Sequence, residues 1–242
     1  MFGYRDERGR VQVAFTDRHG GASNGRFSSL NLAEPGGEDD ATGVNLAVVT
    51  EAFTGDATVV AARMRQVHGA DIALVDAPVA PGDEPPRADG LVTTRPGVPL
   101  LVRVADCVPV LLADPGRGVV AAVHAGRPGL VAGVLENAVE RMHQLGAEHV
   151  VGWLGPHVCG ACYEVPEPMR ADVSATVPAA YATTSWGTPS LDLGAGACAQ
   201  LHSLGVETVD ASRCTREAED LYSYRRQGRD AGRQAGLIWV AP

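Results

Sequence analysis

Three short apolar runs stand close together in the middle of the chain: Leu100–Val104, Val108–Leu112 and Val119–Val123. Each is too short for a helix and rich in Val, Leu and Ala, which marks strands inside a sheet rather than on its surface. The first two are separated only by Ala105-Asp106-Cys107, and the third runs into His124-Ala125-Gly126-Arg127-Pro128-Gly129. Helical periodicity follows, to about Leu145. Val131, Val134, Leu135, Ala138, Val139, Met142 and Leu145 fall on one face at i, i+3, i+4 spacing. Strand, Gly-rich turn and helix is a geometry that aims backbone N–H groups at an anion.

The flanks extend the same alternation. Val11–Phe15 reads as a strand, 20–32 as a Gly/Ser/Asn loop, 34–40 as an acidic turn and Ala41–Phe53 as a helix. Val59–Val67 and Ile72–Val75 read as strands around the turn His68-Gly69-Ala70-Asp71, and the Pro- and acid-rich stretch 76–88 as a solvated loop. Val150–Leu154 reads as a strand, Gly194–Leu204 as a helix weakened by its glycines, and Leu237–Val240 as a closing strand. Short strands interleaved with helices predict one compact α/β domain over residues 1–242.

Charge narrows the function. The 242 residues carry a net charge of -9, a poor basis for binding nucleic acid or an anionic membrane. Every basic residue is Arg and none is Lys, which excludes Schiff-base chemistry and a P-loop. No run approaches a membrane span, and the first ten residues lack the apolar core of a signal peptide. Five cysteines, an odd count at irregular spacing, fit reduced thiols in the cytoplasm.

His68, Cys107 and His124 stand out because each sits where a strand gives way to a turn. Two imidazoles and a thiolate suit zinc, and three protein ligands leave a fourth position for water, which would ionise near neutral pH. From spacing alone a buried core cysteine is the commoner state, since the three share no compact ligand motif. Cys159-Gly160-Ala161-Cys162 reads as a structural loop rather than a redox pair, and Cys198 and Cys214 supply no second CxxC for a zinc ribbon. Arg18, in a Gly-rich loop, and Arg127, at a helix start, are candidate anion ligands, with Arg225 and Arg226 a further cluster. Asp106 is a candidate proton acceptor or a turn carboxylate. Asp71 and Asp89 read equally well as turn residues.

Taken in order, TDRHGG…SSLNLA, RQVHGADI, ADGLVTT, VADCVPVLLADP, VVAAVHAG, CYEV, LDLGAGACAQL and YSYRR…GRQAG resemble the laccase-domain, or polyphenol-oxidase-like, family of purine nucleoside phosphorylases. The resemblance spans about Phe15 to Val240. It implies a single layered α/β sandwich with mixed sheets. It implies zinc held by the residues matching His68, Cys107 and His124. It also implies phosphorolysis of adenosine, inosine, guanosine and methylthioadenosine, with adenosine deaminase activity beside it. Purine nucleoside and phosphate would be the partners of a monomer or homodimer. Arg18 or Arg127 would hold phosphate, and Asp106 would give the leaving purine a proton.

The chain departs from the family pattern at three places. HAGRPG replaces the common HAGWRG, removing an aromatic; Ala197 replaces a common Asn; and only Cys162 is in register with the cysteines before YEV. Three rival functions remain. Copper could occupy a Cys/His site, but an oxidase of the laccase type needs clustered imidazole pairs, and the seven histidines include no His-x-His. Cys107 could be a hydrolase nucleophile with His124 or His68 as base. Some relatives are described as peptidoglycan editing factors, which would make the ligand a cell-wall precursor.

Overall fold

A computed structural model describes residues 1–79 and 83–242. The strands are β1 (Phe2–Arg8), β2 (Val11–Thr16), β3 (Ile72–Leu74), β4 (Gly90–Thr93), β5 (Leu100–Val104), β6 (Val108–Asp114), β7 (Val119–Ala125), β8 (Val151–Leu154), β9 (Tyr181–Thr183), β10 (Pro189–Leu191), β11 (Glu207–Asp210) and β12 (Gln234–Val240). The helices are α1 (Thr42–Thr54), α2 (Arg127–Val131), α3 (Val134–Gln144), α4 (Glu167–Thr176), α5 (Leu193–Ser203) and α6 (Tyr224–Gln227).

Two sheets stack between helical layers. A four-stranded antiparallel sheet has the order β1-β2-β12-β5, and a six-stranded mixed sheet has the order β11-β8-β6-β7-β4-β3. In the mixed sheet β11–β8 and β3–β4 pair in parallel, and the other neighbours antiparallel. Side-chain alternation explains why the central runs are apolar throughout. Val110, Leu112, Ala121 and Val123 face the helices, packing with Leu135, Ala138 and Met142 of α3 and Leu201 of α5. Leu111, Ala113, Val120 and Ala122 point the other way, onto Phe15, Leu100, Val102 and Ile238 of the second sheet. That sheet's outer face, through Leu101, Leu237 and Trp239, packs on Val49 and Phe53 of α1. A strand covered on both faces has no solvent side to make polar. The result is a four-layered α/β sandwich with one sheet mixed.

The structure departs from the sequence reading in several places, adding β4, β9, β10, β11, α4 and α6, which that reading did not name. Val59–Val67 forms no strand; its backbone makes only the single bridges Ala62–Leu100 and Arg65–Arg87 as it crosses the sheet edge. The helix expected through to about Leu145 breaks at Gly133, whose φ of 83° is left-handed and splits it into α2 and α3. The mostly polar edge strand β1 (FGYRDER) carries no apolar signal and was not anticipated. In the loop 76–88, residues 80–82 lie outside the described residues. Among the described residues no helix is long and apolar enough to cross a membrane.

β5 and β6 are consecutive in the chain but lie in different sheets. The Ala105-Asp106-Cys107 turn therefore crosses from one layer to the other, and the site described next sits at that seam.

Candidate metal centre

The turn at Cys107 is shaped by Asp106, whose φ of 93° places it in left-handed backbone. Asp tolerates that region better than most residues. Its carboxylate accepts hydrogen bonds from Thr215 Oγ1 and the Arg225 N–H, each at 2.6 Å, and its carbonyl accepts from Val158 N at 3.0 Å. Asp106 thus ties the turn to two distant segments. Both carboxylate oxygens are engaged by these donors, and the carboxylate anchors the turn.

His68 also has left-handed backbone, with φ 61°. A single buried carboxylate holds its turn in place. Asp89 accepts from the N–H groups of Val67, His68 and Gly69 at 3.2, 2.9 and 2.6 Å. The same carboxylate lies 2.8 Å from His124 Nδ1, and the Asp89 carbonyl accepts from His124 N at 2.7 Å. With Nδ1 engaged, Nε2 is the His124 nitrogen left for a ligand role. Burial opposes the Asp89 charge. The hydrogen bonds from His124, Gly69 and Val67, with the His124 charge, outweigh it and hold the carboxyl below its ordinary range.

The three sequence candidates meet. One donor atom from each of His68, Cys107 and His124 lies within 4.8 Å of the others. Cys107 Sγ is 3.9 Å from His68 Nε2, and the two imidazoles stand edge-on with centroids 4.8 Å apart. His124 is buried, Cys107 half-buried and His68 exposed, so the group opens on one side. Burial works against a Cys107 thiolate. Hydrogen bonds and charge from His124 and His68 overcome that and bring the thiol down to about 6. Burial likewise opposes the His124 cation, yet Asp89 and Cys107 raise it to about 9. Gly126 completes the cradle: a Cβ there would lie 2.7 Å from His68 Cδ2 and 3.4 Å from both Cys107 Sγ and His124 Cε1. Donors bound at roughly 2.0–2.3 Å around a tetrahedral ion are about 3.5 Å apart. The donor set, its carboxylate support and its open side fit a metal ion.

The group lies in the wall of a cleft of about 1010 Å3, at the upper end of the roughly 300–1,000 Å3 usual for small-molecule sites. Phe27, Tyr163 and Tyr224 supply aromatic surface in that cleft. The two arginines chosen from sequence do not line it. Arg18 donates from Nε to Ser28 O at 2.7 Å and stacks 4.6 Å above the Tyr222 ring, so it braces its own loop. Arg127 starts α2 and is not among the residues that line the cleft. Of the later pair, Arg226 is committed to the carbonyls of Thr215, Arg216 and Ala218. Arg225 reaches the cleft, stacked 4.5 Å from the Tyr163 ring.

The cleft has cations of its own. Arg103 is ion-paired with Glu34. Half-buried Arg233 has no carboxylate partner among the described residues; its Nη1 donates to the carbonyls of Ala231 and Gly232 at 2.8 and 2.9 Å. Burial lowers its pKa, against the opposing charges of Cys107 and Asp106. Two further residues stand at the site: Asp89, which the sequence reading left as a turn residue, and Arg233, which it passed over. Both lie within recognised motif segments, ADGLVTT and GRQAG, which is the signal that could have found them.

Residues 12–241 match the family model described as multi-copper polyphenol oxidoreductase laccase. A protein of Streptomyces coelicolor named purine nucleoside phosphorylase is 52% identical, with 99% of this chain and 100% of that one aligned. Another of that name, from Streptomyces griseus, is 50% identical over 96% of this chain and 95% of its own. Among solved structures, a Neisseria meningitidis protein superposes with a TM-score of 0.85 at 30% identity, covering 100% of this chain and 99% of that one.

Proposed function

The chain belongs to the family described as multi-copper polyphenol oxidoreductase laccase, and on that premise we propose that it is a zinc-dependent purine nucleoside phosphorylase. Its substrates would be adenosine, inosine, guanosine and methylthioadenosine. The observation that carries this reading is the meeting of His68, Cys107 and His124 in the wall of a cleft sized for a nucleoside and phosphate. The names of the Streptomyces relatives support it.

In this reading His68, Cys107 and His124 hold zinc, which supplies Lewis-acid stabilisation of developing negative charge. Arg233, rather than Arg18 or Arg127, holds the phosphate, because it lines the cleft close enough to Cys107 and Asp106 to feel their charges; Arg225 and Arg229 also line it without a carboxylate partner among the described residues. Tyr163, Tyr224 and Phe27 offer faces to the purine in place of the aromatic missing from HAGRPG. Phosphate attacks the anomeric carbon as the bond to the base breaks, giving ribose 1-phosphate and the free base. Adenosine deaminase activity would use the same cleft. Five free thiols suit the cytoplasm.

Copper could take the same donors. A laccase reaction draws little support, since the other group of potential ligands among the described residues contains no histidine.

The test is a product assay. Adenosine or inosine is incubated with and without phosphate and the products are separated. Base and ribose 1-phosphate should form only with phosphate. Arg233→Ala should raise the phosphate KM by about 10- to 100-fold, the value of a charge-assisted contact of roughly 1.5–3 kcal/mol, and leave metal content unchanged. Base release without phosphate, or no turnover by metal-loaded protein, would overturn the reading.

A cysteine hydrolase is the second reading. Its support is the Cys107–His124 pair, with the thiol near 6, the imidazole near 9 and Asp89 behind it. Stripping the metal separates the two readings: a phosphorylase loses turnover, whereas a hydrolase gains a free nucleophile.

A further inference from the structure

The CxxC loop that reads as structural in sequence has two partners that cysteine spacing alone does not reveal. Cys214-Thr215-Arg216-Glu217 is a second four-residue turn, ending in a carboxylate instead of a thiol. Ligand atoms of Cys159, Cys162, Cys214 and Glu217 all lie within 4.8 Å of one another.

The two turns are built alike. In the first, Cys162 N and Tyr163 N donate to the Cys159 carbonyl at 2.9 and 3.0 Å. In the second, Glu217 N and Ala218 N donate to the Cys214 carbonyl at 3.3 and 2.9 Å. An isolated parallel bridge between His157 and Cys214 joins them side by side. Cys159 N donates to Cys214 Sγ at 3.5 Å, and Cys162 Sγ lies 3.5 Å from Glu217 Oε1. Arg226 holds the second turn from behind through the carbonyls of Thr215, Arg216 and Ala218.

We propose that Cys159, Cys162, Cys214 and Glu217 form a second metal site that binds one zinc-like divalent cation and clamps a wall of the substrate cleft. Three thiolates and a carboxylate are a tetrahedral donor set of the structural kind, in which every position is filled by protein. A disulfide would use two of the three thiols and strand the third, whereas a cation uses all three. The four ligands carry four negative charges and the cation offsets two. Arg216, Arg225 and Arg226 line the depression beside the group, and they offset the remainder. Burial and the neighbouring Cys214 push the Cys159 thiol up to about 12. A bound cation reverses that preference.

The clamp acts on the cleft. Cys162 precedes Tyr163, which lines the cleft, and Arg225 stacks on Tyr163 and donates to the Glu164 carbonyl at 2.9 Å. A cation at the second site therefore fixes the Tyr163 segment against the segment that also anchors Asp106 through Thr215.

Metal analysis of the full chain tests this without any turnover assay, so its outcome is separate from the phosphorylase reading. Protein purified under reducing conditions should hold two zinc equivalents. Cys214→Ser and Cys107→Ala should each hold one, and the double variant none. Where Cys214→Ser fails to fold, Glu217→Ala provides the second measurement, since Glu217 is exposed. Cobalt-loaded Glu217→Ala should keep strong thiolate-to-metal absorption but bind at least about tenfold more weakly. A single equivalent in the parent protein, lost in Cys107→Ala and kept in Cys214→Ser, would overturn the proposal. So would a disulfide among these cysteines in protein purified without reductant and holding one equivalent.

Discussion

Cys107→Ala should leave a folded protein stripped of the metal at His68 and His124 and slowed about a thousandfold. That factor corresponds to about 4 kcal/mol of lost charge stabilisation. Two neutral imidazoles without the thiolate hold zinc far less well than the three together. The fold should survive, because Cys107 is half-buried in a turn and adds little to the core formed by Leu111, Val120 and Phe15. Metal-free parent and variant should differ by no more than about 1 kcal/mol in denaturant unfolding. Metal analysis, an unfolding curve and the product assay together check this. A variant that turns over at the parental rate would remove the metal centre from the mechanism.

Asp89→Ala should be the most destabilising change near the site, by about 3–5 kcal/mol. Its carboxylate is fully buried and satisfies three backbone N–H groups and His124 Nδ1. Removing it takes the acceptor from all four donors and leaves His124 Nδ1 unpaired in a buried position. Asp89→Asn keeps the shape but not the charge, and should fold while binding metal about 10- to 100-fold more weakly. The carboxyl's pKa lies below its ordinary 3.8. Its contribution to stability is therefore fully present above about that pH and is lost as pH falls through the lower folded value. Unfolding curves for both variants, with zinc titrations of Asp89→Asn, test the assignment. Asp89→Asn binding zinc as tightly as the parent would reduce Asp89 to a turn residue.

His68, Cys107 and His124 stood out as His and Cys beside turns, but their spacing alone favoured a buried core cysteine, and only the collinear family motifs made them a candidate ligand set. The central strands were legible because burial on both faces leaves no polar alternation to confuse the pattern. Val59–Val67 has equally strand-like composition, but composition does not reveal that a segment will find only isolated backbone partners at a sheet edge. Gly133 broke a helix whose apolar face continues almost unbroken across it. Arg18 and Arg127 looked like anion ligands because loops and helix starts often supply them. Whether a guanidinium faces a cleft or braces its own loop is settled by the tertiary structure. Glu217 escaped because a ligand count confined to cysteines cannot register a carboxylate in the fourth place.

The crossover from β5 to β6 couples metal affinity to folding. Cys107 hangs on the connection between the two sheets, while His124 belongs to one of them alone. The pairing of β6 with β7, Val108 opposite Ala125 and Pro109 opposite His124, brings the two together only in the folded sheet, so an ion held by both binds the native state and not the unfolded chain. Free zinc at a hundred times its dissociation constant would then add about 2.7 kcal/mol to the unfolding free energy. The cell's supply of the metal would thus govern how long the protein survives as well as how fast it works, and a chain starved of zinc would be a preferred target for degradation.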